Sequence, residues 1–357
     1  MTTSPTEAAL NPLAPHHLPS YIVSADGSDH LLTSMIIFTL ALILGIGLLY
    51  LTLHALPEKM GHHANHSQMQ IIGILALLAL LPGCGAANAA TGGQMDAGNP
   101  AVAIDDTALT EQLEQGAQLL LEGGRTVPMK QLIAQLERGS VAATAVLPGT
   151  TALSHAALYA RARQSVLVIG NMYKCGKCDK WHVGQSSGFV ISRDGLAVTN
   201  HHVVDRADNA TLVAMTADGQ VYPVKEVVAA SKADDLAILR LDAHNLTPLP
   251  IAANVAPGQD VRVISHPDGF LYTLTAGIVS RRFMGSRQGQ KVPVLQITAD
   301  FAKGSSGAPV LDDQGAVVGV VSYTKSIHHD NGPEKKRNLQ MVLKNCTPSD
   351  RILALLR

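Results

Sequence analysis

The sequence predicts an all-β domain, a barrel or a sandwich, that follows an N-terminal segment embedded in a membrane. After Ser165 the chain contains many short β-rich runs, among them "SVLVIG", "SGFVIS" and "LAILRLD", which DG, QG and PDG turns separate. Before it, the run from Leu31 to Leu53 carries no charged side chain and is long enough to cross about 30 Å of hydrocarbon as a helix. Charged residues make up 15% of the chain and hydrophobic residues 46%, which agrees with a chain that lies partly in lipid.

A second apolar run, "MQIIGILALLALLPGCGAANAA", breaks at Pro82 and allows three interpretations. It is a second membrane span, a re-entrant or interfacial segment, or a lipoprotein-like export signal that ends in "LPGC" with Cys84 as the lipid-bearing residue. No Lys or Arg closely precedes the run, which speaks against the export signal. The favoured interpretation has two membrane spans, at residues 31–53 and 69–88.

The orientation of these spans depends on one positive charge. The stretch from His16 to Leu81, which includes "LHALPEKMGHH", resembles a small bacterial integral membrane protein, and this resemblance favours two spans. Lys59 is the only Lys or Arg in residues 1–124 and lies between the two apolar runs. The positive-inside tendency places that loop in the cytoplasm, so everything after Ala90 is expected outside. We therefore predict an inner-membrane protein whose β-rich domain faces the periplasm or another extracytoplasmic space.

Three segments follow from this organisation: a membrane-anchoring segment at 1–90, a linker at 91–153 and the β-rich domain at 154–357. The linker begins with small, polar residues. It then contains "TALTEQLEQGAQLLLEGG", whose leucines have helical spacing, and a second short helix expected from Met129 to Leu136. A last helix, "TPSDRILALL", is expected to close the chain after an N-cap at Thr347 or Ser349.

Three short stretches contain the residue types of a serine hydrolase, in the order His, Asp, Ser: "TNHHVV", "ADDLAILRL" and "KGSSGAPV". A serine hydrolase needs a hydroxyl that an imidazole base activates, an acid that orients the imidazole, and amide donors for the oxyanion. Each stretch contains a candidate for one of these parts.

The segment from Ser165 to Arg357 resembles a trypsin-like serine protease of the chymotrypsin fold, in the form found in the bacterial envelope. The resemblance implies a double six-stranded β-barrel with a C-terminal helix. "TNHHVV" matches the T-N-x-H-V pattern of the family, which implies His202 as the base and a non-catalytic position for His201. Asp235 begins the "DLAIL" strand that carries the acid, with Asp234 as an exposed alternative.

"GSSGAP" matches the G-[DN]-S-G-G-P pattern that carries the nucleophile, which implies this role for Ser306. The amides of Gly304 and Ser306 are the implied oxyanion donors, and Ser305 shapes the turn between them. Ser305 replaces the usual Asp or Asn, and Ala308 replaces the second glycine. The methyl group of Ala308 lies next to the nucleophile, so it raises the question of whether the loop adopts its active conformation.

The resemblance also implies a substrate-binding strand in "VVGVVSYT". Ser322 and Tyr323 are expected to line the cleft, where a substrate adds to the sheet as an extra strand. The primary specificity pocket is expected near Asp300, which favours a basic substrate side chain if it faces inward and is otherwise a solvated loop acid.

The "YKCGKCDKWH" stretch contains two of the four cysteines, Cys175 and Cys178. In an oxidising compartment a disulfide between them is the favoured interpretation. A zinc site would need further ligands, and only His182 is near in sequence. Free thiols or a redox pair are the remaining alternatives, and no resident metal or other cofactor is predicted.

The sequence therefore favours a membrane-tethered serine endopeptidase that acts on protein or peptide substrates through an acyl-enzyme. A proteolytically silent trypsin-like domain that binds peptides is the alternative, and a metal or redox module built on the cysteine pair is the third hypothesis. The formal net charge of −1 offers no basic face for phosphates, so nucleic acid is not expected as a partner.

Overall fold

Two closed β-barrels of six strands each make up most of the structure. The computed structural model describes residues 103–332 and 335–357. The first barrel has the strand order β1-β2-β3-β6-β5-β4. Its strands are β1 (Val166–Lys174), β2 (Trp181–Val190), β3 (Leu196–Thr199), β4 (Thr211–Met215), β5 (Val221–Ser231) and β6 (Leu236–Leu241).

The second barrel has the strand order β10-β11-β12-β9-β8-β7, and all neighbouring strands in both barrels are antiparallel. Its strands are β7 (Asp260–Ser265), β8 (Thr273–Arg287), β9 (Gln290–Ile297), β10 (Pro309–Leu311), β11 (Val317–Gly332) and β12 (Lys335–Pro348). The all-β, two-barrel prediction is therefore confirmed.

Five α-helices accompany the barrels in the described residues. They are α1 (Asp106–Glu122), α2 (Met129–Ala134), α3 (His155–Arg163), α4 (His201–Val204) and α5 (Asp350–Leu355). The final helix, α5, lies where the sequence predicts it. Its N-cap is Ser349, although the serine side chain makes no capping hydrogen bond.

The segment expected to be a linker packs against the first barrel instead of standing apart from it. Leu109 and Leu113 of α1 are fully buried in the same apolar cluster as Phe189 of β2. Met129 and Leu132 of α2 are also buried, in a second apolar cluster that includes Leu167 of β1 and Val190 of β2. The leucine stripe of α1 needs a partner surface, and the first barrel provides it.

Residues 138–153 follow as an extended, mostly exposed strap that touches both barrels. The amide of Val141 donates to the carbonyl of Leu355 in α5, over 2.8 Å. The amide of Leu153 donates to the carbonyl of Asp313 beside the second barrel, also over 2.8 Å. All described residues belong to one unit, which runs from Thr91 to Arg357.

The predicted spans at 31–53 and 69–88, and the alternative lipid site at Cys84, lie outside the described residues. Within the described part of the chain, no helix has the length and apolar character that a membrane crossing requires.

Candidate active site

Strand pairing in the first barrel brings the predicted base and acid together. β3 ends at Thr199, and the short helix α4 that carries His202 begins two residues later. Thr199 is paired with Ala237 of β6, and Asp235 immediately precedes β6. The ends of two adjacent antiparallel strands meet at one edge of the barrel, so His202 and Asp235 become neighbours although 33 residues separate them.

Three hydrogen bonds join these two residues. His202 Nδ1 lies 2.9 Å from Asp235 Oδ1 and 3.0 Å from Oδ2, and the His202 amide donates to Oδ1 over 3.1 Å. The carboxylate accepts, so Nδ1 carries the proton and Nε2 is left as a free base. Asp235 holds a left-handed backbone conformation with φ 57°, which the side chain of Asn200 supports through a 2.9 Å hydrogen bond to the Asp235 carbonyl.

The second barrel contributes a further hydrogen bond to the acid. Ser322 Oγ donates to Asp235 Oδ2 over 2.6 Å. Ser322 lies at an irregularity in the β11–β12 ladder, between the pairs made by Val321 and Tyr323, and such a bulge redirects a side chain. Burial acts to raise the pKa of Asp235, but the hydrogen bonds and charge of His202, together with Ser322, outweigh it and hold the pKa below its usual value.

Hydrogen bonds to its carbonyl groups fix the position of the loop that carries Ser306. All five carbonyls from residue 302 to residue 306 accept hydrogen bonds: Ala302 from Ser305 N, Lys303 from Asp268 N, Gly304 from Ser187 Oγ, Ser305 from Ala308 N and Ser306 from Ser187 N. The amides of Gly304 and Ser306, by contrast, donate no hydrogen bond within the described residues. Two free amides on one turn next to the nucleophile are what an oxyanion site requires.

Gly304 is required for this loop conformation. Its φ is +94°, and a Cβ atom there would lie 2.2 Å from the carbonyl oxygen of His266. Ser305 is fully buried, and its hydroxyl accepts a 3.0 Å hydrogen bond from Ser265 Oγ of β7. This buried contact stabilises the turn. Ala308 is buried in the second barrel and does not have a positive φ, so its methyl group fits without backbone strain.

The predicted nucleophile and the predicted base line different cavities in this structure. His202 and Asp235 line a cavity of about 450 Å³, and Ser306 and Gly304 line another of about 620 Å³. Among the described residues, the Ser306 hydroxyl makes no hydrogen bond to His202. The structure thus brings His202 and Asp235 into direct contact and leaves Ser306 in a different cavity.

Two neighbours of the predicted triad are buried, and for one of them, Asp234, this differs from the expectation. Asp234 was expected to be exposed, but it is buried because Arg351 of α5 holds its carboxylate through two 2.9 Å hydrogen bonds. His201 is also buried, and it borders the same cavity as His202. Burial lowers the pKa of His201, so its ring is neutral at neutral pH.

Asp300 does not line either cavity that contains a triad residue. Its side chain is 83% exposed and forms a 3.1 Å ion pair with Lys344 of β12. Lys344 in turn donates to the carbonyl of Phe301 over 2.7 Å. The interpretation of Asp300 as an inward-facing specificity residue therefore needs correction, because it is a loop acid at the surface paired with a lysine. Tyr323, in contrast, borders the His202 cavity as expected.

Two residues that the sequence analysis did not single out take part in the site. Arg287, at the end of β8, donates to Ser322 Oγ over 3.1 Å and lies 5.6 Å from the centre of the Tyr323 ring. Ser187 of β2 holds the Ser306 loop through its hydroxyl and its amide, each over 2.9 Å. Ser187 acts across the two barrels and Arg287 acts between strands of the second barrel, and no local motif marks either of them.

The cysteine pair lies in the loop between β1 and β2, and neither cysteine lines the cavity of His202 or that of Ser306. The structure leaves both cysteines free, with their sulfur atoms 3.5 Å apart, so the expected disulfide is not formed. His182 Nε2 lies 3.1 Å from Cys178 Sγ, and these three side chains form a group that could hold a metal ion. The amide of Lys177, followed by Cys178, lowers the pKa of the Cys175 thiol to about 7.

Comparison with known families decides which kind of domain this is. Residues 186–320 match the family model of the trypsin-like peptidase domain. This part of the chain is similar to a trypsin-like peptidase domain. The match begins in β2 and ends in β11, so it includes all three positions of the predicted triad.

The trypsin-like domain is also similar to curated proteases. A probable periplasmic serine endoprotease, DegP-like, from Marinomonas sp. (strain MWYL1) is 38% identical over 144 residues, which is 39% of this chain and 30% of the relative. Protease Do-like 1, chloroplastic, from Arabidopsis thaliana is 36% identical over 145 residues, which is 38% of this chain and 32% of the relative. The chain thus spans about a third of the length of these relatives.

Two solved structures are similar as well. The HtrA-type protease AlgW with decapeptide has a TM-score of 0.46 and 20% identity, covering 57% of this chain and 66% of that one. The active form of a protease from M. tuberculosis has a TM-score of 0.44 and 26% identity, covering 60% of this chain and 91% of that one.

Proposed function

We propose that this protein is a serine endopeptidase, in which the trypsin-like domain cleaves peptide bonds through Ser306, His202 and Asp235. The paired Asp235 and His202 carry the proposal. Their three hydrogen bonds fix the imidazole with Nε2 free, which is the state that a general base needs. Together with the free amides of Gly304 and Ser306, this pair supplies the groups that a serine peptidase needs.

The proposed reaction follows from these groups. Ser306 Oγ attacks the carbonyl carbon of the substrate while its proton passes to His202 Nε2. The amides of Gly304 and Ser306 donate to the resulting oxyanion, and Asp235 stabilises the imidazolium. His202 gives the proton to the departing amine, which leaves an acyl ester on Ser306. Water then attacks the ester by the same route and releases the acid and the free serine.

Strand β11 has an open edge to which a peptide substrate can bind. Its ladder with β10 ends at the pair of Pro309 and Val320, with two further hydrogen bonds at Val321. From Ser322 onward, within the described residues, one edge of β11 faces the cleft while the other pairs with β12. An extended peptide can add to this open edge, and Tyr323 then lies beside it.

The proposed location is extracytoplasmic, with the domain tethered to the inner membrane through the apolar runs at 31–53 and 69–88. The word "periplasmic" in the name of the bacterial relative supports the compartment. The tether rests on the sequence alone. In spheroplasts, added protease should digest the domain without lysis, whereas digestion only after lysis would reverse the orientation inferred from Lys59.

A silent peptide-binding domain is the second candidate, and one observation favours it. Ser306 and His202 border different cavities and share no hydrogen bond in the described residues. Catalytic hydrogen bonds in uncomplexed proteases are often long and shorten only when substrate is bound, so the proposed peptidase is compatible with this geometry.

A fluorophosphonate probe separates the two candidates. The purified full chain is incubated with the probe, and the matched control is Ser306→Ala, which differs by one oxygen atom. We expect covalent labelling of the unmodified chain at Ser306 and none of the variant. If the folded chain never reacts, even in the presence of a peptide ligand, the silent domain is the correct interpretation.

A further inference from the structure

We propose that Cys175, Cys178 and His182 form a binding site for a thiophilic divalent cation, with Zn²⁺ as the preferred ion. The site lies at the tip of the β1–β2 hairpin. It is separate from the triad and does not depend on the proposed peptidase activity. Among the biological divalent metals, zinc is the one that a site of two thiolates and one imidazole favours.

The geometry of the three ligand atoms fits one ion. Cys175 Sγ and Cys178 Sγ are 3.5 Å apart, and Cys178 Sγ is 3.1 Å from His182 Nε2. All three atoms lie within 4.8 Å of one another. Tetrahedral zinc, with bonds of about 2.3 Å to sulfur and about 2.0 Å to nitrogen, separates such ligands by roughly 3.5 to 3.8 Å. The two distances that involve Cys178 Sγ are within about half an ångström of these values. Cys175 Sγ and His182 Nε2 are at most 4.8 Å apart, so that pair closes by up to roughly 1.3 Å to bind the ion.

The hairpin brings these ligands together. Lys174 pairs with Trp181 and Tyr173 pairs with His182, so the end of the ladder sets His182 opposite the residues just before Cys175. The intervening loop turns back at Gly176, whose φ is +72° with open space around it. This turn brings the second cysteine of the C-x-x-C pair back toward the first.

The backbone of the loop supports a sulfur ligand. The amide of Lys177 donates to Cys175 Sγ over 3.4 Å, a hydrogen bond that stabilises a metal-bound thiolate. Lys174, Lys177 and Lys180 also lie in or beside the loop, and their charges offset those of two thiolates. No other His, Cys, Asp or Glu in the described residues joins the group, so water or an external ligand takes the fourth position.

Binding releases to solvent whatever protons the two thiols still carry. Each sulfur bonds to the metal as a thiolate, and His182 binds through a neutral nitrogen. Cys178 is exposed, so the ion reaches the site directly from solvent. A disulfide would use the same two sulfur atoms and would require an oxidant. The two states therefore exclude each other.

The site adjoins the cavity that contains Ser306. The ring of His182 lies 5.7 Å from that of Tyr173, and Tyr173 borders that cavity. A bound metal ion links His182 to the loop that carries Cys175 and Cys178, so it should reduce the motion of this hairpin. Zinc should therefore slow amide hydrogen exchange across residues 173–183.

The test uses the full chain, purified and kept under a phosphine reductant, with Co²⁺ and Zn²⁺ as probes. Cobalt should produce the thiolate-to-metal charge-transfer band, and one equivalent of zinc should abolish it. The histidines of the N-terminal segment, among them His62 and His63, can bind metal but cannot produce this band.

Variants complete the test. Cys178→Ser and His182→Gln should each weaken zinc binding at least tenfold, and Cys178→Ser should lose most of the charge-transfer band. His244→Gln, an exposed histidine on a loop of the first barrel, is the matched control and should bind as the unmodified chain does. Circular dichroism verifies that each variant is folded.

Two results would overturn the proposal. One is the absence of a charge-transfer band from the reduced, folded chain. The other is a stable disulfide between Cys175 and Cys178. It would appear as a chain that contains no zinc and stays two hydrogens lighter under reductant, with the loss located at this pair. Neither result bears on labelling of Ser306, so the peptidase proposal is tested separately.

Discussion

Ser322 Oγ lies 2.6 Å from Asp235 Oδ2, and this hydrogen bond joins the second barrel to the acid of the first. Ser322 also accepts a hydrogen bond from Arg287, so its hydroxyl proton is directed at the carboxylate. The acid is thus oriented by His202 on one side and by Ser322 on the other. In the proposed reaction Ser322 acts through Asp235, as a positioning residue.

Removal of this hydroxyl should affect turnover more than substrate affinity. Ser322→Ala should lower kcat about tenfold, because a hydrogen bond to a charged group contributes about 1.5 kcal/mol. KM for a peptide substrate should change little, and Ser322→Thr should retain most of the activity. Steady-state kinetics of the three proteins test this. An increase in KM with unchanged kcat would assign Ser322 to substrate binding instead.

The two adjacent histidines should differ sharply in their effect on activity. His202→Ala should lower kcat about 10⁴-fold, since it removes the base. His201→Ala should reduce kcat far less, because His201 is a buried neighbour that the proposed reaction does not use. Peptide hydrolysis by both variants, with thermal unfolding as the control for folding, decides the assignment. A dead His201→Ala enzyme beside an active His202→Ala enzyme would contradict it.

The ion pair of Arg351 with Asp234 should stabilise the fold. Arg351→Ala leaves the buried Asp234 carboxylate without its main partner, which should cost about 2 kcal/mol of unfolding free energy. The cost is below that of a fully buried pair, because the Arg351 side chain is 37% exposed. Arg282→Ala breaks the more exposed pair with Asp350 and should cost less than about 0.5 kcal/mol. Urea unfolding measures the free energy that each variant loses. Equal losses for Arg351→Ala and Arg282→Ala would contradict the expected difference between the two ion pairs.

Stability should fall as the pH decreases from about 6.5 to about 4. His266 is fully buried behind the Ser306 loop, and burial lowers its pKa to about 4. Between that pKa and the unfolded value of about 6.5, the unfolded chain binds more protons, so acid favours unfolding, by up to about 3 kcal/mol. His266→Gln should reduce this pH dependence in urea unfolding at pH 7 and pH 4.5. An unchanged slope would show that other groups cause it.

The conformation of the Ser306 loop should depend on Gly304. Gly304→Ala would place Cβ 2.2 Å from the His266 carbonyl oxygen, so the loop must move and the oxyanion donors are displaced. We expect loss of fluorophosphonate labelling and a destabilisation of about 2 kcal/mol. Gly258→Ala is the matched control, since its φ is +90° but nothing lies within 4 Å. Normal labelling of Gly304→Ala would show that the reaction of Ser306 does not require this loop conformation.

The sequence alone predicted the class of the fold and the identity of the triad candidates. Alternating β-rich runs and turn residues are local signals, and the three motifs lie on contiguous residues, so both can be recognised without knowing which strands pair. The short helix at Met129 and the closing helix after Ser349 were predicted for the same reason.

Only the tertiary structure decided the partners of these residues. Arg351 buries Asp234, Lys344 pairs with Asp300 at the surface, and Ser187 holds the Ser306 loop, each across more than forty residues of chain. Such contacts depend on barrel closure and strand register, which no local pattern encodes. For the same reason the sequence identified Cys175 and Cys178 but could not determine that the β1–β2 register sets His182 beside them.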